Sequence, residues 1–412
     1  MTPHAAAATK TDSSRTTYAI VPGVFLAGIG GGMVFPILPI IGLQAGLAPV
    51  LIGLILAGNR ITRVLFNPWV GAFIDRLGGK RLLTVGLFAE SLIMVGYWLA
   101  LRTGWIGPLF LACRLIWGPA SALILIGGQT LALNAGPPQT RGTAAGIVRS
   151  AQSLGTPAGM VFGGIIAGWL GNGPAFLIGA GAALLAAVAA FRMVPDLRGG
   201  GRPSARWLDI LGTLRDRRVV MVVVVNFVSF AAVQGLLLST LVYVIRDRHL
   251  SFYGLPVETM SGLTLALLLA AGAISVLWAG RRADRTKTRA VIAVQGLAVM
   301  IPGYLVLAET HHLWGLIMGL ILVGAGMGTA NVPLLALIGD FVDRQRRGSA
   351  VGVLQLFGDV GGVLGPLLGT PLVLGIGARI SYLSMTAMIV GGLAVALVLV
   401  GAERSDTANR AW

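Results

Sequence analysis

Charge is what this sequence has least of. Only 11% of its 412 residues are Asp, Glu, Lys or Arg, against about 25% in a soluble domain. An ordinary water-facing surface is therefore excluded. Acids are scarcer than bases, 15 against 31, which leaves a formal net charge of +16. Cys113 is the single cysteine, so no internal disulfide forms. The four histidines, His4, His249, His311 and His312, have no ligand spacing on a helix, and the His311-His312 pair reads as a solvated loop. No Gly-rich phosphate loop ending in Lys-Ser/Thr occurs, which removes an ATPase engine. Nor does any nucleophile–base pair or metal cluster stand out. The chain reads as no enzyme, without cofactor or metal.

Apolar residues are what is there. They make up 56% of the chain, with a mean hydropathy of +0.85. A bilayer core of about 30 Å takes roughly 20 apolar residues per helix. Twelve runs meet that measure, at 18–43, 49–74, 82–102, 106–133, 141–169, 173–194, 219–245, 257–279, 289–308, 313–339, 348–375 and 379–402. The bases gather in every second loop, among them Arg76, Lys80, Arg81, Arg141, Arg198, Arg202, Arg206, Arg281, Arg282, Arg285, Lys287, Arg289, Arg344 and Arg346. That is the positive-inside pattern, and no basic stripe interleaved with aromatics marks a nucleic-acid partner. It places both termini in the cytoplasm. Five segments follow: a disordered cytoplasmic tail 1–17, a six-helix bundle 18–194, a Gly- and Pro-rich cytoplasmic linker 195–218, a second six-helix bundle 219–402, and a cytoplasmic tail 403–412. The end of the linker reads either as a plain connector or as a short amphipathic helix on the membrane surface.

One phrase is written twice. Gly71-Ala-Phe-Ile-Asp75-Arg76 in the first half is matched by Gly280-Arg-Arg-Ala-Asp284-Arg285 in the second, at one offset (280 − 71 = 284 − 75 = 209). A second match opens the fifth and eleventh spans, Arg141-Gly142-Thr-Ala-Ala-Gly146 and Arg347-Gly348-Ser-Ala-Val-Gly352 (347 − 141 = 206). Further along, Gly155-Thr-Pro157-Ala-Gly159 is answered by Gly361-Gly362 and Gly365-Pro366. Glycine lets helices approach closely in lipid. The fold class expected is an all-α membrane protein of twelve transmembrane helices in two pseudo-symmetric six-helix bundles. Secondary transporters are built from such repeats.

These motifs resemble the major facilitator superfamily, and within it the twelve-span drug:proton antiporter-like branch. Gly71 to Arg81 resembles the family's loop 2–3 signature, with Gly79 where an arginine is more usual. Arg114-Leu-Ile-Trp-Gly118 resembles its fourth-span signature, and Gly155 to Gly159 loosely resembles the fifth-span antiporter signature. Pro36-Ile-Leu-Pro39 and Asn67-Pro68-Trp69 also look like that branch. The resemblance covers essentially the whole chain. It implies a charged latch at Gly71, Asp75, Arg76, Lys80, Arg81, Gly280, Asp284, Arg285 and Arg289, and a part for Arg114 in proton coupling. Arg114 also reads as a brace for a neighbouring helix.

An ionisable group at mid-bilayer costs roughly 2.5–3.5 kcal/mol on insertion scales, so each one needs a reason. Arg60 and Arg63 share a face of the second span, beside Asn59. Arg149 and Gln152 sit three apart on the fifth. With Asn331 they are the candidate substrate-binding residues. A carboxyl removed from water takes up a proton readily, which makes Glu90 and Asp359 the proton-carrier candidates beside Arg114. Counted along the helices, Arg63 and Glu90 lie at nearly one depth, so an ion pair between them is geometrically open. Four arginines against one glutamate in the first bundle suggest an anionic or amphiphilic cargo. The function expected is secondary transport of a small organic solute across a bacterial inner membrane by a monomer, as proton-coupled export. Proton symport or facilitated uptake of an organic anion, and a non-transporting receptor or scaffold, remain the alternatives.

Overall fold

The computed structural model describes residues 3–134, 141–196, 212–286, 288–342 and 347–409, and among these it is helical throughout apart from short turns. Twelve long helices follow one another: α1 (Pro3–Gln44), α2 (Pro49–Leu77), α3 (Gly79–Thr103), α4 (Ile106–Asn134), α5 (Arg141–Leu170), α6 (Asn172–Met193), α7 (Arg217–Asp247), α8 (Val257–Arg285), α9 (Ala290–Glu309), α10 (Leu313–Phe341), α11 (Arg347–Ile376) and α12 (Ala378–Asn409). Each contains a segment long and apolar enough to cross a membrane. The chain is an all-α protein of twelve transmembrane helices. Most of the linker, 197–211, and the bases Lys287, Arg344 and Arg346 lie outside the described residues.

One end departs from expectation. The segment 1–17 reads as a disordered tail, yet α1 starts at Pro3 and runs unbroken into the span Tyr18–Gln44. Proline suits the first helical position, and Ala5 to Ala8 behind it is the best helix-forming run available.

The chain divides into two compact units, Met1–Leu47 with Gly58–Ser204, and Ala48–Ala57 with Ala205–Trp412. In the first, α1 packs most extensively on α5, and α3 on α4 and α6. The α1–α5 contact is a glycine seam. Gly155, Gly159 and Gly163 recur every fourth residue on α5, and Gly28 and Gly32 face them from α1. A Cβ on Gly28 would stand 2.9 Å from the Gly155 Cα, and one on Gly159 would stand 2.6 Å from the Ile29 Cα. The second unit repeats the device at the offset of 206 (361 − 155): Gly361, Gly365 and Gly369 line α11 against α7. There a Cβ on Gly235 would stand 2.7 Å from the Gly365 Cα. Backbone-to-backbone approach replaces side-chain packing, which in lipid is what holds helices together.

At that crossing α7 changes geometry. Residues Ala231–Leu237 form a π-helical turn between two α-helical pieces, Arg217–Phe230 and Leu238–Asp247. A widened turn loosens carbonyls, and in a membrane something must satisfy them. Hydroxyls do so here. Tyr304 Oη donates to the Ala232 carbonyl at 2.6 Å. Ser239 Oγ donates to Gly235 O at 2.6 Å, and Thr240 Oγ1 to Leu236 O at 2.7 Å.

Helix ends are tied within each unit. The Glu403 carboxylate, near the end of α12, accepts the backbone N–H of Arg289 and of Ala290, both at 2.8 Å. That satisfies two of the free amides at the start of α9 and sets a negative charge on the positive end of the helix. In the first unit Asp196, just past α6, lies beside Gly78 at the start of α3. At the other end of α9 the Arg248 guanidinium donates to the carbonyls of Leu307, Ala308 and Thr310 at 2.6–2.8 Å. Asp216 caps α7 through the Arg218 N–H. Burial opposes its ionisation, but the Arg218 side chain and backbone hold its carboxyl below the usual range.

Each unit carries bare aromatics at one set of turns. Trp105 and Trp169 are exposed at the α3–α4 and α5–α6 turns, and Tyr253 and Trp314 at the α7–α8 and α9–α10 turns. Such rings favour the headgroup level. The basic turns are the alternate ones. Single-cysteine variants at Ser204 and His311 are therefore expected to react from outside intact cells only at position 311. Reaction at 204 and not 311 would reverse the topology.

Candidate functional site

The polar side chains of the first unit meet on α2, α3 and α4. Arg114 is buried in α4 and its Nη2 donates to the Asn59 Oδ1 of α2 at 2.9 Å. The two helices come this close because of Gly118, where a Cβ would meet Thr62 and Asn59 of α2. Thr62 Oγ1 adds a bond to the Leu115 carbonyl at 2.8 Å. Arg114 thus braces a side-chain amide, and Arg63 acts on it electrostatically.

Glu90 is placed differently from what depth alone suggests. It is 0% exposed, and neither carboxyl oxygen has a hydrogen-bond partner among the described residues. Arg63 does not bridge to it. The carboxyl faces α1 instead, where Gly30 leaves the space. A Cβ on Gly30 would run into Glu90 Oε1 and stand 3.3 Å from the Met94 Cε. A carboxylate in such a place has no hydrogen bond among the described residues to stabilise its charge, which in a low-dielectric interior is costly.

Between Glu90 and Arg114 stands a residue that sequence reasoning missed. Tyr97 lies two helical turns beyond Glu90 on the same face of α3. Its ring packs on Phe110 at 5.2 Å and Phe176 at 5.1 Å. Its hydroxyl is buried, and both Glu90 and Arg114 act on it electrostatically. The spacing Glu90-x6-Tyr97 was the signal available. Glu90, Tyr97, Arg114 and Asn59 are thus buried polar side chains on α2, α3 and α4 of one unit.

The remaining candidates are more dispersed. Arg60 and Arg63 are half-buried on α2 and engaged in contacts of their own. Arg149 is exposed and Gln152 half-buried on α5. In the second unit Asp359 is buried on α11 and also makes a contact of its own. Asn331 Oδ1 on α10 and Gln295 Oε1 on α9 are buried without a hydrogen-bond partner among the described residues. Asn226 donates to the Leu354 carbonyl at 2.8 Å and so ties α7 to α11.

Of the latch residues, Arg76, Arg81 and Arg285 are exposed at helix ends. Lys80 lies 5.5 Å from the centre of the Phe191 ring. Arg289 pairs with Asp340 of the same unit. Gly280 has open space where a Cβ would be. Gly71, Asp75 and Asp284 belong to helices, but their side chains lie outside the described ones.

Comparison with known proteins gives this geometry its context. The family model of the Major Facilitator Superfamily matches residues 20–366 and, in a second match, 257–411. The multi-drug resistance efflux pump PmrA homolog of Lactococcus lactis is 25% identical over 388 residues, covering 90% of this chain and 89% of the relative. The multidrug resistance protein MdtG of Salmonella choleraesuis is 23% identical over 369 residues, 87% of this chain and 88% of the relative. Among solved structures, a bacterial homolog of the human lysosomal transporter Spinster, inward-facing and unoccupied, superposes with a TM-score of 0.80 at 16% identity over 96% of this chain and 98% of that one. The chain belongs to the major facilitator superfamily and is a multi-pass membrane transporter of small molecules.

Proposed function

We propose that the protein exports a small organic solute, anionic or amphiphilic, from the bacterial cytoplasm across the inner membrane by alternating access. Protons returning down their gradient drive it, and it works as a monomer with both termini in the cytoplasm. The observation that carries this reading is Glu90, a membrane-buried carboxyl with neither oxygen hydrogen-bonded among the described residues. A group so placed is matched to holding a proton in one conformation and releasing it where water or a cation reaches it. Relatives named for multidrug efflux support the outward direction. The test is uptake of a screened cargo into vesicles with an imposed pH gradient. Entry that stops at equal concentrations whatever the pH gradient would leave a facilitator.

The cargo's charge rests on a count. Arg60, Arg63, Arg114 and Arg149 stand in the spans of the first unit against Glu90 alone, and guanidinium groups stay charged. Their field in a low-dielectric setting favours a negative group. Arg60→Gln is expected to weaken an anionic cargo by about tenfold, or 1.4 kcal/mol, and to spare its neutral analogue. Arg63→Gln should do the same, since no bridge to Glu90 neutralises Arg63. Tighter binding of a cationic cargo on loss of Arg60 would refute the anion reading.

The latch is a further part of the proposal. Asp75 sits in the last turns of α2, ahead of Arg76, Lys80 and Arg81. A carboxylate there complements a helix N-terminus or a base, and a neutral amide does so less well. Asp75→Asn should lower the transport rate at saturating cargo without lowering the amount of protein in the membrane. An unchanged maximal rate removes Asp75 from the gate.

A further inference from the structure

The second unit holds a cavity of about 210 Å³ where α7, α11 and α12 diverge. Its floor and walls include Phe227 and Ala231 from α7, Leu368 and Gly369 from α11, and Met385 and Met388 from α12. Almost no polar group faces it. The two serines on its wall, Ser381 and Ser384, spend their hydroxyls on the carbonyls of Gly377 and Ile380, each four residues earlier and at 2.9 Å.

The cavity is not closed. Leu368 is 58% exposed, and Leu364 and Leu372, one turn to either side, are also exposed. On a membrane-spanning helix an exposed leucine row faces lipid. Ile380, Val390 and Leu397 of α12 are exposed apolar side chains as well. The cavity runs from the α11–α12 turn, at Leu372 and Ser381, inward to Met388, about seven residues or 10 Å along α12.

Water has nothing to bind there, since an apolar void of this kind stays dry. Left empty, its walls forfeit their dispersion contacts. Between lipid tails and leucine there is no hydrophobic preference, only packing. A flexible chain that fills the groove therefore gains contacts that it lacks against a convex helix. Methionines at two of the wall positions adapt to an irregular occupant. We propose that this groove is a lipid site that seats one acyl chain of a bilayer phospholipid between α11 and α12.

The test uses the full chain in vesicles of phosphatidylcholine that contain a phosphatidylcholine bearing a photoreactive diazirine at mid-chain. After illumination, adducts are mapped by peptide mass. Labelling of 364–372 and 381–388 should exceed that of the exposed Leu184–Leu185 face of α6 by about tenfold, equivalent to about 1.4 kcal/mol in occupancy. Ser384→Trp, which fills the mouth from a lipid-exposed position, should bring groove labelling down to the α6 level and leave α6 unchanged. Met388→Trp fills the inner end and should act likewise. Groove labelling no greater than that of α6, or labelling that survives both tryptophans, overturns the proposal.

Discussion

Glu90→Gln is expected to give a folded protein that exchanges cargo at equal pH near the parent rate, yet accumulates none against a gradient. The substitution keeps shape and volume and removes only the site of proton binding. Because neither carboxyl oxygen has a hydrogen-bond partner among the described residues, an amide there breaks no existing bond. Tyr97→Phe removes the hydroxyl that both Glu90 and Arg114 act on and should shift the pH dependence of transport while leaving cargo affinity alone. Gly30→Ala offers an independent check, since its Cβ forces the carboxyl from its place. Overpacking of this kind costs about 1–3 kcal/mol, so its effect should include a lower melting temperature. If Glu90→Gln still concentrates cargo in response to an imposed pH gradient, the proton travels elsewhere, and Asp359 is the next carboxyl to replace.

Gly159→Val should be among the most damaging single changes in the chain. Its side chain would enter the Ile29 backbone of α1, and a helix backbone cannot step aside as a side chain can. Gly365→Val should fail for the same reason against Gly235. Each is expected to cost several times the roughly 1 kcal/mol at stake in an ordinary glycine substitution, and to abolish recoverable folded protein in detergent. Gly181→Val is the control, because nothing lies within 4 Å of a Cβ there. Equal thermal stability of the Gly159 and Gly181 variants would mean that the seam has slack.

The spans were legible because hydropathy along a chain is one-dimensional information. Expected bounds of 173–194 and 289–308 fall within a residue of the helices Asn172–Met193 and Ala290–Glu309. Duplication was legible too, since Gly155-Thr-Pro157-Ala-Gly159 and its answer at Gly361 and Gly365 lie on matching seams. The rest depended on rotation about helix axes. Counting residues put Arg63 and Glu90 at one depth, but a residue count says nothing of azimuth, and Glu90 is turned toward Gly30 on α1. The π-turn of α7 was hidden for a similar reason. Nothing in Ala231-Ala-Val-Gln-Gly-Leu-Leu237 demands it; the turn occurs where Gly235 meets Gly365. Tyr97 was passed over because an aromatic in an apolar span looks like core packing, and its ring is.

The capping of α9 by Glu403 sets a limit on how short the protein can be made. A chain kept through Ser405 retains both bonds from Glu403. A chain ending at Ala402 would leave the amides of Arg289 and Ala290 bare, and the ninth helix would begin with no counter-charge. The cap thus comes from a residue more than a hundred positions along the chain from the helix it serves.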